Sequence, residues 1–200
     1  MKEVIISAFA RDFSWISELN SDIKVTVYRK GVKGQNNEVF IENNVGRDVH
    51  TFFYHFVKNY DNLYDYTLTS QDYFEDHVSN YIEIMNGNTN TWDENSHLKL
   101  SDCWFFNTKY GYISCDKFGN DHHPGLDIES IWNQLFLDKC PIKINFVPAG
   151  HFCVSKKHVL KRPIEFYKKI LNILETDESS PWIIERLESY IFDLNYEIKL

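Results

Sequence analysis

The sequence predicts an α/β fold, a mostly parallel sheet flanked by helices, and three observations predict it. Residues 3–9, EVIISAF, are uniformly apolar rather than alternating, the pattern of a strand covered on both faces. Residues 48–60 place Val49, Phe52, Phe53, Phe56 and Val57 at helical spacing. From the start to residue 71, strand-like and helix-like segments alternate, which is the order that builds a layered sheet of parallel strands.

Each element follows in turn. After the first strand, DFSWISELNS (12–21) predicts about two turns of helix, with Trp15, Ile16 and Leu19 on one face. DIKVTVYRKG (22–31) reads as a second strand, and Lys33 to Asn37 as a loop. Asp48 suits the first turn of the strong helix because its charge complements the helix dipole. DYTLTSQ (65–71) is a third strand. VSNYIEIMNG (78–87) predicts a helix, 86–96 a polar loop, 104–116 an exposed β-hairpin and 127–136 a short helix with Ile128, Ile131, Trp132 and Leu135 inward. Residues 141–163 give strand, turn at Pro148–Ala149–Gly150, and strand. Two amphipathic helices follow, one opened by Pro163 and one over 181–194, both expected to pack on the sheet. No repeat or Pro/Gly/Ser-rich linker divides the chain, so 1–200 reads as one domain.

Composition narrows the function. The 200 residues carry 21 Lys and Arg against 29 Asp and Glu, a net charge of −8, which disfavours nucleic acid as a partner because nothing balances phosphate charge. An apolar content of 43% excludes global disorder. No apolar run reaches the roughly 18–20 residues of a membrane span, and the start is too quickly charged for a signal peptide. Cys103, Cys115, Cys140 and Cys153 are widely spaced and suit free thiols. The expectation is a cytoplasmic protein acting on a small molecule.

Ligands of open parallel sheets bind beyond the carboxyl ends of the strands. Those ends carry Phe9, Ala10, Arg11 and Asp12, then Arg29 and Lys30, then Gln71, Asp72, Asp76 and His77; Asn43 to Asp48 lies just before the strong helix. Arg and Lys beside a helix N-terminus suit a diphosphate, with backbone N–H groups near Gly46 assisting. Asp121–His122–His123 suggests a metal hydrolase only if early strand ends supply further acidic ligands. They are cationic instead, so the triplet reads as a loop.

In order along the chain come ISAFARDFSWI, VYRKG, ENNVGRDVHTFFYHFVKNYDNL, TSQDYFEDH, PAGHFCVSKKHVLKRPIEFY and WIIERL. These segments resemble the signature of a family of uncharacterised domains, and the Gly46–Arg47–Asp48 element and late Glu185–Arg186–Leu187 are similar to the rhamnan-synthesis transferases. Both groups resemble nucleotide-sugar glycosyltransferases of the GT-A type, single Rossmann-like domains that use a sugar nucleotide and usually Mn²⁺ or Mg²⁺. The sequence departs from that pattern in having no Asp-x-Asp. The resemblance therefore leaves two alternatives, a metal held by Asp72 and His77 or an ion-independent enzyme.

The resemblance implies transfer of a hexose or deoxyhexose from a nucleotide-diphosphate sugar to a glycan hydroxyl. Phe9, Ala10, Arg11, Lys30, Gly46, Arg47, Asp48 and Gln71 would bind the donor, and Gly150 and His151 would border the acceptor. If the reaction inverts configuration, Glu185 or Asp76 would be the catalytic base; a retaining reaction would remove that demand. Glu185 followed by Arg186 also suits a solvated helix face, and His151 a polar turn residue. The alternative function is a non-catalytic nucleotide-sugar or carbohydrate-binding module, using aromatics among Tyr73, Trp92, Trp104, Phe105, Tyr110 and Tyr112.

Overall fold

The computed structural model describes residues 1–9, 13–31, 34 and 38–200. The first half is built from β1 (Lys2–Ala8), β2 (Lys24–Lys30), β3 (Val39–Ile41), α1 (Arg47–Lys58) and β4 (Tyr66–Gln71). The middle holds α2 (Tyr81–Asn86), α3 (Thr89–Asn95), β5 (Leu98–Leu100), β6 (Cys103–Phe105), β7 (Ile113–Cys115), β8 (Gly119–Asn120) and β9 (His123–Pro124). Then come α4 (Ile128–Leu135), β10 (Ile144–Phe146), β11 (Phe152–Ser155), α5 (Lys156–Val159), α6 (Ile164–Thr176) and α7 (Ser180–Phe192).

The main sheet has seven strands in the order β3-β2-β1-β4-β11-β6-β5. The strands β3, β2, β1 and β4 pair in parallel, whereas β11, β6 and β5 each pair antiparallel to their neighbours. The fold is α/β as expected, but the sheet is mixed rather than mostly parallel. Chain length explains one of the three antiparallel pairings. Only Ser101 and Asp102 join β5 to β6, too few residues for the crossover a parallel pair requires.

The uniformly apolar first strand is covered on both faces. Val4, Ile6 and Ala8 enter one apolar cluster with Phe74, Tyr81, Ile84 and Trp92, beneath α2 and α3. Ile5 enters the other, with residues of α1, α4, α6 and α7. Phe52, Phe53 and Phe56 are completely buried there, each worth about 1.5–3 kcal/mol by area removed from water. The two terminal helices join that cluster, as their periodicity predicts.

Three local readings change. In place of the first predicted helix, Ser14–Glu18 form a short 3₁₀ turn around the buried Trp15. The polar stretch 86–96 contains α3, because Asn88 caps it by accepting from the Asn90 N–H and Trp92 anchors it by donating to the Ile84 carbonyl at 2.8 Å. Residues 104–116 are no exposed hairpin: β6 is fully buried in the main sheet, and β7 pairs with β10 in a separate two-stranded sheet.

Polar contacts fix α1 on the sheet. The Tyr28 hydroxyl meets His55 Nδ1 at 2.9 Å, and His55 Nε2 lies 3.1 Å from Glu3 Oε2. Lys30, 2% exposed, donates its amino group to the carbonyls of Val45 and Arg47. Burial lowers its pKa to about 8, with Asp48 opposing. The start of α1 is thereby pinned to the carboxyl edge of the sheet. The cysteines 103, 115, 140 and 153 are buried and free. Among the described residues, no helix is long and apolar enough to cross a membrane.

Candidate functional site

From β1 the chain moves outward through β2 and β3, then returns through α1 to place β4 on the other side of β1. Strand order therefore reverses beside β1, and the crevice at the carboxyl end of such a point is where open sheets hold ligands. A cavity of about 480 Å³ lies there, lined by Gln71 at the end of β4 and by Arg47, Asp48 and Val49 in the first turn of α1. The first turn of α7 adds Pro181 and Trp182, and its second adds Glu185 and Arg186. Asn120, His122 and His123 enter from the β8–β9 hairpin, and His77, Tyr110, Ile113, Phe146, Pro148 and Ala149 complete the lining.

Arg47 occupies the left-handed region at φ 51°, and its guanidinium sits 5.5 Å from the Trp182 ring centroid. Gln71 donates from Nε2 to Asp48 Oδ2 at 2.5 Å, which joins the end of β4 to the start of α1. The Glu185 side chain, 18% exposed, accepts the Ala149 N–H. Burial raises its carboxyl pKa and neighbouring Asp48 adds to the rise, while the Ala149 N–H, Arg186 and Arg47 oppose it. Behind the floor, Glu188 is 1% exposed with neither carboxyl oxygen hydrogen-bonded. A Cβ added at Gly150 would meet Phe52 at 3.0 Å, Glu188 Oε1 at 3.6 Å and Asp48 Oδ2 at 3.7 Å. Burial pushes the Glu188 carboxyl well up, with Glu185 and Asp48 adding to it.

The hairpin wall is held from α7. Arg186, 2% exposed, donates to the Trp182 carbonyl at 2.7 Å and to Asn120 Oδ1 at 3.1 Å, and it meets His123 Nδ1 at 3.2 Å. The fold of the hairpin depends on Gly119, whose φ is 97° and whose added Cβ would stand 2.0 Å from the His123 carbonyl oxygen. Gly119→Ala is therefore expected to open residues 119–124, at a cost of about 1–3 kcal/mol. Amide hydrogen exchange checks this; unchanged protection across the hairpin would refute it.

Of the residues expected at the site, the fold gathers Arg47, Asp48, Gln71, His77 and Glu185 around one cavity. Others lie apart from its lining. Lys30 is committed beneath α1, and Gly46 caps that helix at φ 64°, where a Cβ would press on His50. Phe9 is 53% exposed, and its N–H donates to Asp72 Oδ2 at 2.9 Å. Asp76 is exposed. Gly150 lies under the floor beside Asp48 and Glu188. His151 is buried against Tyr81 and His77 with neither ring nitrogen hydrogen-bonded, and burial lowers its pKa to about 3. Ala10 and Arg11 fall outside the described residues.

Of the pair expected to hold a divalent ion, His77 lines the cavity and Asp72 does not. Asp72 is engaged by the Phe9 amide away from the cavity lining, and among the described residues no three His, Cys, Asp or Glu side chains gather as a metal centre. Of the aromatics considered for sugar stacking, Trp92, Trp104 and Phe105 are core, while Tyr110 lines the cavity and Tyr112 is exposed.

The family described as "protein of unknown function (DUF3431)" matches residues 4–198. The chain belongs to the DUF3431 family. No curated protein and no solved structure matches it. In this DUF3431 chain the sequence reading misses Asn120, His122, His123, Trp182 and Arg186 as cavity residues. Asp121–His122–His123 did carry a signal, a polar triplet ahead of Pro124–Gly125, but His122 and His123 meet the cavity only through the turn at Gly119.

Proposed function

We propose that the chain is a glycosyltransferase that moves a hexose or deoxyhexose from a nucleotide-diphosphate sugar to a glycan hydroxyl. One observation carries this reading: a single cavity at the strand-order reversal joins Arg47, at the N-terminal turn of α1, to the mostly buried Glu185. The parallel β3-β2-β1-β4 half followed by antiparallel strands is compatible with a GT-A-type domain.

In the reaction, the acceptor oxygen bonds to the sugar's anomeric carbon as the bond from that carbon to the phosphate oxygen breaks. The acceptor proton passes to the Glu185 carboxylate, and the electron pair leaves with the nucleoside diphosphate. Arg47 and the unpaired N–H groups of the first turn of α1 stabilise the charge growing on that leaving group. Raising the pKa of Glu185 brings a carboxylate base nearer to working pH and makes it a stronger proton acceptor.

The test is a thermal-shift series of UDP-, GDP- and dTDP-sugars, with and without Mn²⁺ or Mg²⁺, followed by product analysis with glycan acceptors. At a hundredfold excess over Kd a matching donor adds about 2.7 kcal/mol, or roughly 5–10 °C for a chain of this size. No shift with any donor sinks the reading. Binding without transfer or hydrolysis favours the carbohydrate- or nucleotide-binding module.

A further inference from the structure

The cavity's polar groups divide by hydrogen-bonding sense. Arginine has only donors, so the 3.2 Å contact between Arg186 and His123 makes His123 Nδ1 an acceptor and leaves the ring proton on Nε2. Asn120 Oδ1 is likewise taken, by Arg186 at 3.1 Å and by the His123 N–H at 3.3 Å, so this side chain has only its amide N–H groups to offer a ligand. Burial, Arg186 and Arg47 all lower the pKa of His123 and keep it neutral. With Arg47 beside Trp182, and His123 5.3 Å from the same ring, Arg47, Asn120 and His123 present donors to this part of the cavity, which His122 also lines. Acceptors gather on the opposite side, in a lining that His77 and Tyr110 share. Gln71 uses its amide on Asp48 and keeps its oxygen, next to the carboxyl groups of Asp48 and Glu185.

We propose that the β8–β9 hairpin is an anion-binding wall, in which Asn120 Nδ2 and His123 Nε2, oriented by Arg186, hold a phosphate group while Gln71, Asp48 and Glu185 face sugar hydroxyls. A phosphate oxygen at neutral pH only accepts and a sugar hydroxyl also donates, so the two halves match the two ends of a glycosyl phosphate. Arg186 acts as a positioning residue, its Nη1 engaged by the Trp182 carbonyl and its Nη2 by Asn120 and His123. The inference rests on the transferase reading for the source of the phosphate, the donor's diphosphate; a phosphate or carboxylate on the glycan offers the same chemistry.

Asn120→Asp tests it, because the replacement keeps the oxygen that Arg186 and the His123 N–H require and turns the free amide into an acceptor. Calorimetry on the full chain compares inorganic diphosphate, UDP, GDP, dTDP and a glucuronate disaccharide. The wild type is expected to bind inorganic diphosphate and one nucleoside diphosphate, and Asn120→Asp to bind both about 10- to 100-fold more weakly, the loss of a charge-assisted hydrogen bond. Should that variant not fold, His123→Phe keeps a ring beside Trp182 without the Nε2 donor and is expected to weaken both by a similar factor. Unchanged affinity in a folded variant overturns the anion wall and leaves the transferase reading standing. Binding of the glucuronate alone, lost in Asn120→Asp, supports the wall and removes the nucleotide donor. No binding of any of these probes overturns both.

Discussion

Glu185→Gln is expected to lower glycosyl transfer by about 10²- to 10⁴-fold while leaving affinity for the nucleotide sugar within about threefold, the range assigned to a positioned base. The replacement is isosteric, and its amide oxygen still accepts the Ala149 N–H, so the Pro148–Ala149–Gly150 turn has no reason to move. What disappears is a carboxylate able to take the acceptor's proton. The pH dependence of the wild type adds a second reading. A base must be deprotonated to work, so the rate climbs with pH on the acid side. That limb lies above the ordinary glutamate value because burial, then Asp48, raise Glu185 against the pull of the Ala149 N–H, Arg186 and Arg47. Single-turnover transfer across a pH series, with Kd measured in parallel, checks both statements. Full activity in Glu185→Gln would remove Glu185 from the chemistry.

Glu188→Met is expected to stabilise the protein by about 1–3 kcal/mol near neutral pH, since a buried polar group with no partner carries its whole desolvation cost. For a chain of this size that is about 2–4 °C in Tm for each kcal/mol. Methionine matches the unbranched shape of glutamate and suits a site beside Phe52. The direction with pH follows from the raised carboxyl. In the unfolded chain Glu188 ionises near the ordinary glutamate value, whereas in the fold burial, Glu185 and Asp48 hold it neutral to higher pH. Its contribution to stability is therefore complete below the unfolded value and is lost as pH rises toward the folded one. Glu188→Met removes that loss, so its Tm advantage over wild type should widen from acid toward neutral pH. A Tm difference that is constant across the series, or a destabilised variant throughout, would contradict the account.

Much of the fold is legible because apolar spacing is read locally. The phenylalanines of α1, the run in β1 and the stripes of α4, α6 and α7 each announce an element from residues within a few positions of one another. Elements without such spacing escape. The strand Val39–Ile41 has only three residues, and α3 relies on an Asn88 cap and one tryptophan. The site divides in the same way. Arg47, Asp48 and Gln71 follow from the rule that sheets bind ligands at strand ends. Arg186 does not: beside Glu185 on an amphipathic helix it reads as solvent-facing, yet its side chain is 3% exposed and 5.0 Å from the Phe146 ring centroid. Burial of that kind depends on the hairpin folding across α7, a contact between residues far apart in the chain that no local pattern encodes.

The left-handed Arg47, with Lys30 bonded to its carbonyl, has one further implication. An arginine at such a backbone angle would relax toward ordinary helix or strand geometry if it were free to, and doing so would swing its guanidinium away from Trp182. The lysine beneath opposes that relaxation before any ligand arrives. In the proposed reaction, recognition of charge at this mouth would thus be set by the interior of the protein, and a neutral residue in place of Lys30 would loosen a surface arginine it never faces across solvent.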